Sequence, residues 1–284
     1  MIKPTLIFTD LDGTLLDHFD YSFTAAIEVM NKLKKLNVPI IINTSKTFTE
    51  VLSIKEALSL ECPFIVENGA AIYIPEHYFT TQPADTQLQN GYWVKSFCPP
   101  RSKWLELLEE ANEKFPDLYQ GFSNLTLEEI SNLTGLSEED AAKANEREYT
   151  EPLLWHGENK SKHQFIDYME SLGAKMLQGG RFLHVGGHSD KGKALTWLAE
   201  LYNKNFNTEV QTIALGDSDN DLQMLQTADI AVQIHSPIHP FPELQTNKQC
   251  FRSVEFGPKG WAECLNKILF SQDASNESIS TKRA

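Results

Sequence analysis

The chain of 284 residues has 39 acidic and 25 basic residues, which gives a formal net charge of −14. Because no basic block is available to neutralise phosphates, we expect neither a nucleic acid nor a membrane surface as a partner. The 41% of apolar residues is enough for a buried core, and the length predicts two domains. The four cysteines show no C-x-x-C spacing, and no signal peptide or membrane-spanning run is evident. We therefore expect a cytoplasmic protein without an obligate protein partner.

Short apolar runs and amphipathic segments alternate in the first part of the chain. The predicted order is strand, helix, strand, helix, strand, over Leu6–Thr9, Ser22–Leu36, Val38–Ile42, the segment from Val51 to Leu58, and Phe64–Val66. Continuous apolar strands in a βαβαβ order are typical of parallel strands buried on both faces. The predicted fold class is therefore α/β, a doubly wound core with a mostly parallel, Rossmann-like sheet.

The middle of the chain has shorter strand candidates separated by amphipathic helices. We assign residues 85–187 to an inserted, smaller α+β cap domain. Its predicted elements are a helix over Lys103–Phe115, two helices that begin at the caps Thr126 and Ser137, and strands at Leu153–Trp155 and Phe182–Val185. The core domain then comprises residues 1–84 and 188–270.

The α/β pattern resumes after the predicted cap. The expected elements are a helix over Lys191–Tyr202, a strand at Thr212–Leu215, a helix after Asn220, and a strand at Ile230–Ile234. Residues 271–284 have no core-forming pattern, so we expect them to be a disordered tail.

Two aspartates follow the first predicted strand directly, in the run Asp10-Leu11-Asp12-Gly13-Thr14. Open α/β sheets bind their ligands at the carboxyl ends of the strands, which is where Asp10 lies. Two carboxylates this close repel each other unless a cation neutralises one or a proton is retained, so the pair indicates a metal and acid/base chemistry. The alternative is that Asp-Gly only ends the strand in a turn.

Two further segments carry groups that can hold an anion. Thr44, Ser45 and Lys46 follow the second predicted strand, where hydroxyl and backbone N–H groups can hold a phosphoryl oxygen. A simple helix N-cap is the alternative there. Lys191 lies in the first turn of a predicted helix, where the helix dipole disfavours a positive charge. An anionic partner therefore explains this lysine better than exposure to solvent does.

A second acidic run, Gly216-Asp217-Ser218-Asp219-Asn220-Asp221, follows another apolar strand, and such a density of carboxylates requires a cation. A calcium loop of the helix-loop-helix kind is one alternative. That loop needs Gly at its sixth position and Glu at its twelfth, where this chain has Leu222 and Ala228. A magnesium site shared by Asp10, the backbone carbonyl of Asp12 and Asp217 satisfies the preference of Mg²⁺ for oxygen ligands.

In chain order these segments resemble the four-motif signature of the haloacid dehalogenase-like (HAD) phosphatases. The matching residues are Asp10-Leu11-Asp12-Gly13-Thr14, Thr44, Lys191, and Gly216-Asp217 with Asn220-Asp221. The insertion between the second and third motifs resembles the subgroup with an α+β cap in that position. Four more runs resemble the mannosyl-3-phosphoglycerate phosphatases of this superfamily: Thr44-Ser45-Lys46-Thr47, Glu67-Asn68-Gly69-Ala70, Arg147-Glu148-Tyr149-Thr150-Glu151-Pro152 and Gly179-Gly180-Arg181-Phe182.

The resemblance implies a catalytic role for four residues. Asp10 is the expected nucleophile, which forms an aspartyl-phosphate, and Asp12 is the expected general acid and base. Thr44 would hold a phosphoryl oxygen, and Lys191 would offset charge on the transferred group.

The resemblance also implies a Mg²⁺ cofactor. Asp217 would ligate the ion directly, together with Asp10 and Asp12. Asp221 completes the expected metal site, by orienting a metal-bound water or the catalytic lysine. Asn220 is expected to be a hydrogen-bonding neighbour.

The resemblance implies a small anionic sugar phosphate as the substrate, and arginine matches both the carboxylate and the phosphate group of such a compound. The candidate substrate-binding residues are Ser45, Lys46, Asn68, Arg147, Gly180, Arg181 and Asn220. A surface ion pair is the alternative for each arginine. The resemblance implies Mg²⁺-dependent hydrolysis of 2-O-mannosyl-3-phosphoglycerate to mannosylglycerate. The alternatives are a phosphatase for glucosyl-3-phosphoglycerate or a hexose phosphate, a mutase, and a non-catalytic sugar-phosphate sensor.

His235 and His239 are not expected to bind a metal ion. His235 and His239 are four residues apart, but Pro237 between them disfavours a helix that presents both to zinc. His184 and His188 lie near the third motif and are expected to make local hydrogen bonds, with contact to the substrate as the alternative.

Overall fold

The computed structural model describes residues 3–179 and 181–271. The chain forms two compact units, which we call the first and the second unit. The first unit is built from the described parts of Met1–Asn43 and Leu195–Ala284, and the second unit is Thr44–Ala194. The division into a core and a cap at residues 84/85 and 187/188 stays a prediction. The expected disordered tail lies, apart from Ser271, outside the described residues.

The strands alternate irregularly with helices along the chain. The strands are β1 (Thr5–Thr9), β2 (Ile40–Ile42), β3 (Phe64–Val66), β4 (Ala71–Pro75), β5 (Gln87–Gln89), β6 (Tyr92–Ser96), β7 (Tyr119–Gly121), β8 (Glu151–Trp155), β9 (Lys175–Gly179), β10 (Phe182–Gly186), β11 (Gln211–Gly216), β12 (Ile230–His235) and β13 (Gln249–Phe256). The helices are α1 (Ile27–Lys35), α2 (Phe48–Leu58), α3 (Arg101–Asn112), α4 (Leu127–Thr134), α5 (Glu138–Asn145), α6 (Asn159–Ser171), α7 (Lys191–Phe206), α8 (Leu222–Thr227) and α9 (Gly257–Leu265).

A five-stranded parallel sheet, in the order β13-β12-β11-β1-β2, forms the centre of the first unit. Its middle strands are almost wholly apolar, and Leu6, Ile7 and Phe8 of β1 are completely buried. Burial of such side chains on both faces is the main force that holds a parallel sheet together. Trp261 of α9 is also buried, and its indole N–H donates to the Thr9 hydroxyl at 3.1 Å.

The second unit contains two antiparallel sheets of four strands each. One has the order β3-β4-β6-β5 and the other β7-β8-β10-β9. Leu153 of β8 and Leu183 of β10 pack on Trp104 of α3 and Phe165 of α6 in one buried apolar cluster. A smaller cluster joins Phe122, Ile130 and Ala141, the last two on α4 and α5. The second unit is therefore an α+β structure with its own cores.

The expectation of an α/β fold with a parallel core sheet and additional α+β structure is confirmed. Thr126 and Ser137 cap α4 and α5 as predicted, each by accepting a backbone N–H three residues on. Most predicted elements are present with ends shifted by a few residues. Strands β4, β5, β6, β7, β9 and β13 were not predicted. Five of these segments mix polar and apolar residues, whereas β4 is almost wholly apolar and was not separated from the preceding strand.

The predicted third parallel strand is wrong in its pairing. Phe64–Val66 is a strand, but it pairs antiparallel with Ala71–Pro75 rather than joining the parallel sheet. The cause is the turn that follows, in which Glu67, Asn68 and Gly69 have φ angles of +48°, +57° and +87°. Three successive left-handed residues reverse the chain at once and leave no room for a crossover helix.

Within the described residues, each helix is too short or too polar to cross a lipid bilayer.

Candidate active site

In the first unit, the strand ends place two aspartates side by side. Asp10 follows β1 and Asp217 follows β11, and these two parallel strands are paired with Thr9 level with Leu215. The backbone N–H of Asp10 extends the pairing by donating to the Leu215 carbonyl at 3.0 Å. Because the neighbouring strands are parallel, residues far apart in sequence meet at one edge of the sheet.

Three buried carboxylates form a cluster at this edge, which we call the carboxylate cluster: Asp10, Asp217 and Asp221. One oxygen of each lies within 4.8 Å of those of the other two. Asp221 is held there by the backbone N–H groups of Asp217 and Ser218, which donate to its Oδ2 at 3.1 and 3.2 Å. The Thr14 hydroxyl donates to Asp217 Oδ1 at 3.3 Å.

Two glycines make this close approach possible. A Cβ on Gly13 would lie 2.7 Å from Asp217 Oδ2, and Gly13 has a φ of +77°. A Cβ on Gly216 would lie 2.5 Å from the Cβ of Asp221. Any side chain at either position would push a cluster aspartate away. Steric exclusion therefore explains why both motifs have glycine at these positions.

The donor set of the carboxylate cluster suits a hard divalent cation. Carboxylate oxygens at this density repel one another in a buried setting, and a bound cation removes that repulsion. Asp12 is half-buried and lies in a tight turn, in which the Gly13 N–H donates to the Leu16 carbonyl at 3.0 Å. Its side chain is not among the three clustered carboxylates. The sequence analysis assigned the backbone carbonyl of Asp12, and not its side chain, to the metal, and that assignment stays a prediction.

His239 is an additional neighbour that the sequence analysis discounted. Its Nε2 lies 3.3 Å from Asp217 Oδ2, and the side chain is about one-third exposed, at 32%. His235 is directed elsewhere, with Nδ1 3.1 Å from the Val254 carbonyl. The two histidines thus make separate contacts, one with Asp217 and one with the Val254 carbonyl. No sequence signal indicated that His239, on a proline-rich loop, would contact the acidic run.

In the second unit, Thr44, Ser45 and Lys46 lie in a short connection that leads into α2. Thr44 donates its backbone N–H to the Ile65 carbonyl at 3.1 Å, and its hydroxyl accepts from the Lys46 N–H at 3.3 Å. The helix cap is Thr47, whose hydroxyl accepts the Glu50 N–H at 3.2 Å. Thr44 and Ser45 are thus not the N-cap that was their alternative interpretation.

Arg147 is brought to the same connection. Its Nη2 donates to the Ser45 carbonyl at 2.9 Å and its Nε donates to the Thr150 hydroxyl at 2.8 Å. Nε also lies 3.4 Å from the buried carboxylate of Glu67. A surface ion pair was the alternative for Arg147, but its side chain is only 6% exposed. Asn68 joins this group through its backbone N–H, which donates to the Thr44 carbonyl at 2.9 Å.

The remaining candidates lie in different settings. Lys191 is fully buried at the first residue of α7. Arg181 is exposed, and its guanidinium donates to the Leu133 carbonyl. Asn220, in the first unit, accepts a hydrogen bond from the Ser218 hydroxyl at 2.6 Å. Gly180 lies outside the described residues.

His184 is an uncharged polar group in the second unit. It lies on β10, level with Pro152 of β8 and Leu177 of β9. Burial lowers its pKa to about 3, and the positive charge of Arg147 acts in the same direction. The imidazole is therefore neutral near pH 7.

Comparison with known proteins gives matches over most of the chain. Residues 7–92 and 103–239 match the family model of the haloacid dehalogenase-like hydrolases. A protein of Methanococcoides burtonii named glucosyl-3-phosphoglycerate/mannosyl-3-phosphoglycerate phosphatase is 36% identical over 264 residues, which cover 93% of this chain and 97% of that protein. A protein of the same name from Persephonella marina is 38% identical over 266 residues, with the same two coverages of 93% and 97%.

Solved structures share the fold. BT1666 from Bacteroides thetaiotaomicron, described as a phosphatase of the haloalkanoate superfamily, has a TM-score of 0.66 and 19% sequence identity. The match covers 94% of this chain and 95% of that one.

Proposed function

Because the chain belongs to the haloacid dehalogenase-like hydrolases and is a phosphatase of that family, we propose that it removes the phosphate from 2-O-mannosyl-3-phosphoglycerate with the aid of Mg²⁺. The name shared by the two relatives supports this substrate class, since both match almost the full length of this chain. The same name includes the glucosyl compound, so glucosyl-3-phosphoglycerate is the alternative substrate. The observation that carries the chemistry is the carboxylate cluster.

In the first half-reaction we assign the nucleophile to Asp10. Its carboxylate oxygen attacks phosphorus, the bond from phosphorus to the leaving oxygen breaks, and an aspartyl-phosphate forms. Asp12 gives its proton to the leaving oxygen, which therefore departs as a hydroxyl group of mannosylglycerate. The strand end supports this role because it holds the Asp10 backbone rigidly through the Leu215 carbonyl.

In the second half-reaction water cleaves the aspartyl-phosphate. Asp12, now ionised, takes a proton from that water as its oxygen attacks phosphorus. The bond between phosphorus and the Asp10 oxygen breaks, which releases inorganic phosphate and restores the carboxylate. One residue thus serves as acid and then as base, and both carboxylates return to their starting states.

Asp10, Asp217 and Asp221 are the residues that would hold the cation, with the Asp12 carbonyl as a further ligand. The ion, when bound, neutralises charge on the phosphoryl oxygens. Magnesium is the proposed ion because the donors are all oxygens. Asp221 orients this set through its two backbone hydrogen bonds, and Asn220 supports the same loop through Ser218.

We assign recognition of the phosphoryl group to Thr44 and Lys191, a hydroxyl and a buried ammonium that can each donate to an anionic oxygen. The glycerate carboxylate is assigned to Arg147 and Arg181. Ser45, Lys46, Asn68 and Gly180 are proposed as further substrate contacts. The chain is strongly acidic overall, so binding of an anion has to depend on such local donors.

A panel of phosphate esters tests the proposal. Phosphate release would be measured with mannosyl-3-phosphoglycerate, glucosyl-3-phosphoglycerate, 3-phosphoglycerate and mannose 6-phosphate, with Mg²⁺ present and after treatment with a chelator. We expect the highest kcat/KM for the mannosyl compound and loss of activity on chelation. Equal or higher kcat/KM for mannose 6-phosphate, which lacks glycerate, would refute the proposed substrate.

A further inference from the structure

The turn formed by Glu67, Asn68 and Gly69, which we call the 67–69 turn, contains a buried acid with no assigned role. The Glu67 side chain is only 1% exposed, although a carboxylate is costly to remove from water. Its backbone has a left-handed φ of +48°, which disfavours residues other than glycine. A buried charge in a strained backbone indicates that the surroundings require this particular side chain.

The Glu67 carboxylate is surrounded by donors from a single segment. The backbone N–H of Glu148 donates to Oε1 at 2.8 Å, and that of Thr150 donates to Oε2 at 2.8 Å. The Thr150 hydroxyl donates to Oε2 at 2.6 Å, and the Tyr149 N–H is shared between both oxygens at 3.3 Å. With Arg147 Nε at 3.4 Å, the carboxylate holds four consecutive residues in place.

The backbone of the same turn holds a different segment. The N–H groups of Glu67 and Asn68 donate to the carbonyls of Lys46 and Thr44 at 3.0 and 2.9 Å. Gly69 lies directly against the Asp190 carbonyl, where a Cβ would not fit. The 67–69 turn therefore contacts three segments at once, and each carries a residue to which we assign substrate or phosphoryl binding.

Arg147 closes these contacts into a ring. Its Nη2 donates to the Ser45 carbonyl, so residues 44–46 are linked to the turn by the backbone and to Arg147 by the guanidinium. We propose that Glu67 is a positioning residue, which sets the location of Arg147 relative to Thr44 and Lys46. This inference rests on the proposed function, in which those residues bind the substrate.

The substitution Glu67→Gln tests the role with little change in size. Glutamine keeps one acceptor oxygen, but its amide NH₂ would face a backbone N–H at either oxygen position, so the ring cannot close. We expect kcat/KM for the mannosyl substrate to fall by roughly ten- to a hundred-fold, mainly through KM, because small displacements of binding groups have effects of this size. The matched control is Glu151→Gln, also a buried carboxylate, paired with Arg101 at 2.5 Å and with the Ser123 N–H at 2.8 Å.

Melting temperature and kinetics would be measured for both variants. The inference predicts that Glu151→Gln loses stability with a much smaller change in kcat/KM. It also predicts that Glu67→Gln adds little to the defect of Arg147→Lys, because the two residues act through one ring. Equal kinetic losses in the two glutamine variants, or fully additive effects with Arg147→Lys, would overturn it.

A milder variant covers the case in which Glu67→Gln does not fold. Thr150→Val removes the hydroxyl that joins Glu67 to Arg147 and should raise KM in the same direction, whereas an unchanged KM would contradict the inference. Failure of the wild-type protein to hydrolyse glycosyl-3-phosphoglycerates would refute the proposed function instead. The variants would then be compared on the phosphate ester that the wild type does hydrolyse, with the same expected and contradicting outcomes.

Discussion

The two units bury acidic side chains in opposite ways. In the first unit, Asp10, Asp217 and Asp221 lie with their oxygens within 4.8 Å of one another. In the second unit, the Glu67 carboxylate is surrounded by backbone N–H groups, a hydroxyl and a guanidinium. The first arrangement gains from a cation, and the second already has its charge compensated by the protein. In this chain a buried acid therefore points to a cation where several carboxylates lie together, even though Asp217 and Asp221 also accept hydrogen bonds from the protein.

The largest effect is expected from Asp10 of the first unit, the proposed nucleophile. Asp10→Asn replaces the attacking carboxylate by an amide and should lower kcat by about a thousand-fold or more. Steady-state phosphate release measures the loss. The control is Asp219→Asn, an exposed aspartate of the acidic run, which should retain most of the activity. A rate for Asp10→Asn close to that of the wild type would reject the covalent mechanism.

The next effect concerns the carboxylate cluster and its proposed Mg²⁺ ion. Mg²⁺ should raise the melting temperature of the wild-type protein, because an ion that binds only the folded state stabilises it. Asp217→Asn should abolish this rise and lower activity, since it removes one of three clustered carboxylates. Differential scanning fluorimetry with a Mg²⁺ titration gives both curves. Glu67→Gln serves as the contrast and should keep the Mg²⁺-dependent rise, whereas its loss there would break the distinction between the two kinds of acid.

A smaller effect, on stability alone, is expected from His184 beside Arg147. Its pKa is lowered from 6.5 to about 3, so between these pH values the unfolded chain binds a proton that the folded protein does not. The free energy of unfolding should therefore fall as the pH drops below 6.5, by up to about 1.4 kcal/mol per pH unit, and show no such effect above it. Urea unfolding from pH 7.5 to 4.5 measures this slope. We expect a shallower slope in His184→Gln and an unchanged one in His163→Gln, an exposed histidine of the same unit.

The smallest effect is expected from a helix cap of the second unit, far in sequence from the catalytic motifs. Thr126→Ala removes the side chain that accepts the Glu129 N–H at 3.2 Å. Loss of such a cap costs about 1 kcal/mol of stability. Chemical denaturation should show this change, and kcat/KM should stay at the wild-type value. A clear loss of activity would mean that α4 contributes to the active site.

Much of the carboxylate cluster could be predicted from local sequence. Asp10 and Asp217 each follow an apolar run, and parallel strands bring such positions to one edge of a sheet. The helix caps could be predicted equally well, because Thr126 and Ser137 act on residues three positions away. The antiparallel pairing of Phe64–Val66 could not be predicted. It depends on three left-handed residues in the following turn, and only one of them is the glycine that would indicate such a backbone.

Glu67 and His239 make contacts that sequence patterns do not predict. Glu67 was noticed only as part of a motif, because its partners at 147–150 are some 80 positions away. His239 contacts Asp217 from a loop whose path follows no periodic pattern. Contacts of this kind depend on how distant segments pack together, which cannot be inferred from a few neighbouring residues.

By itself the sequence determined the α/β class, the acidic motifs and their order, because burial and strand ends follow from local apolar patterns. Only the tertiary structure decided which acids face one another and which face donors. That choice depends on distances between segments far apart in the chain, and the free energy of a buried charge changes sign with its nearest neighbours.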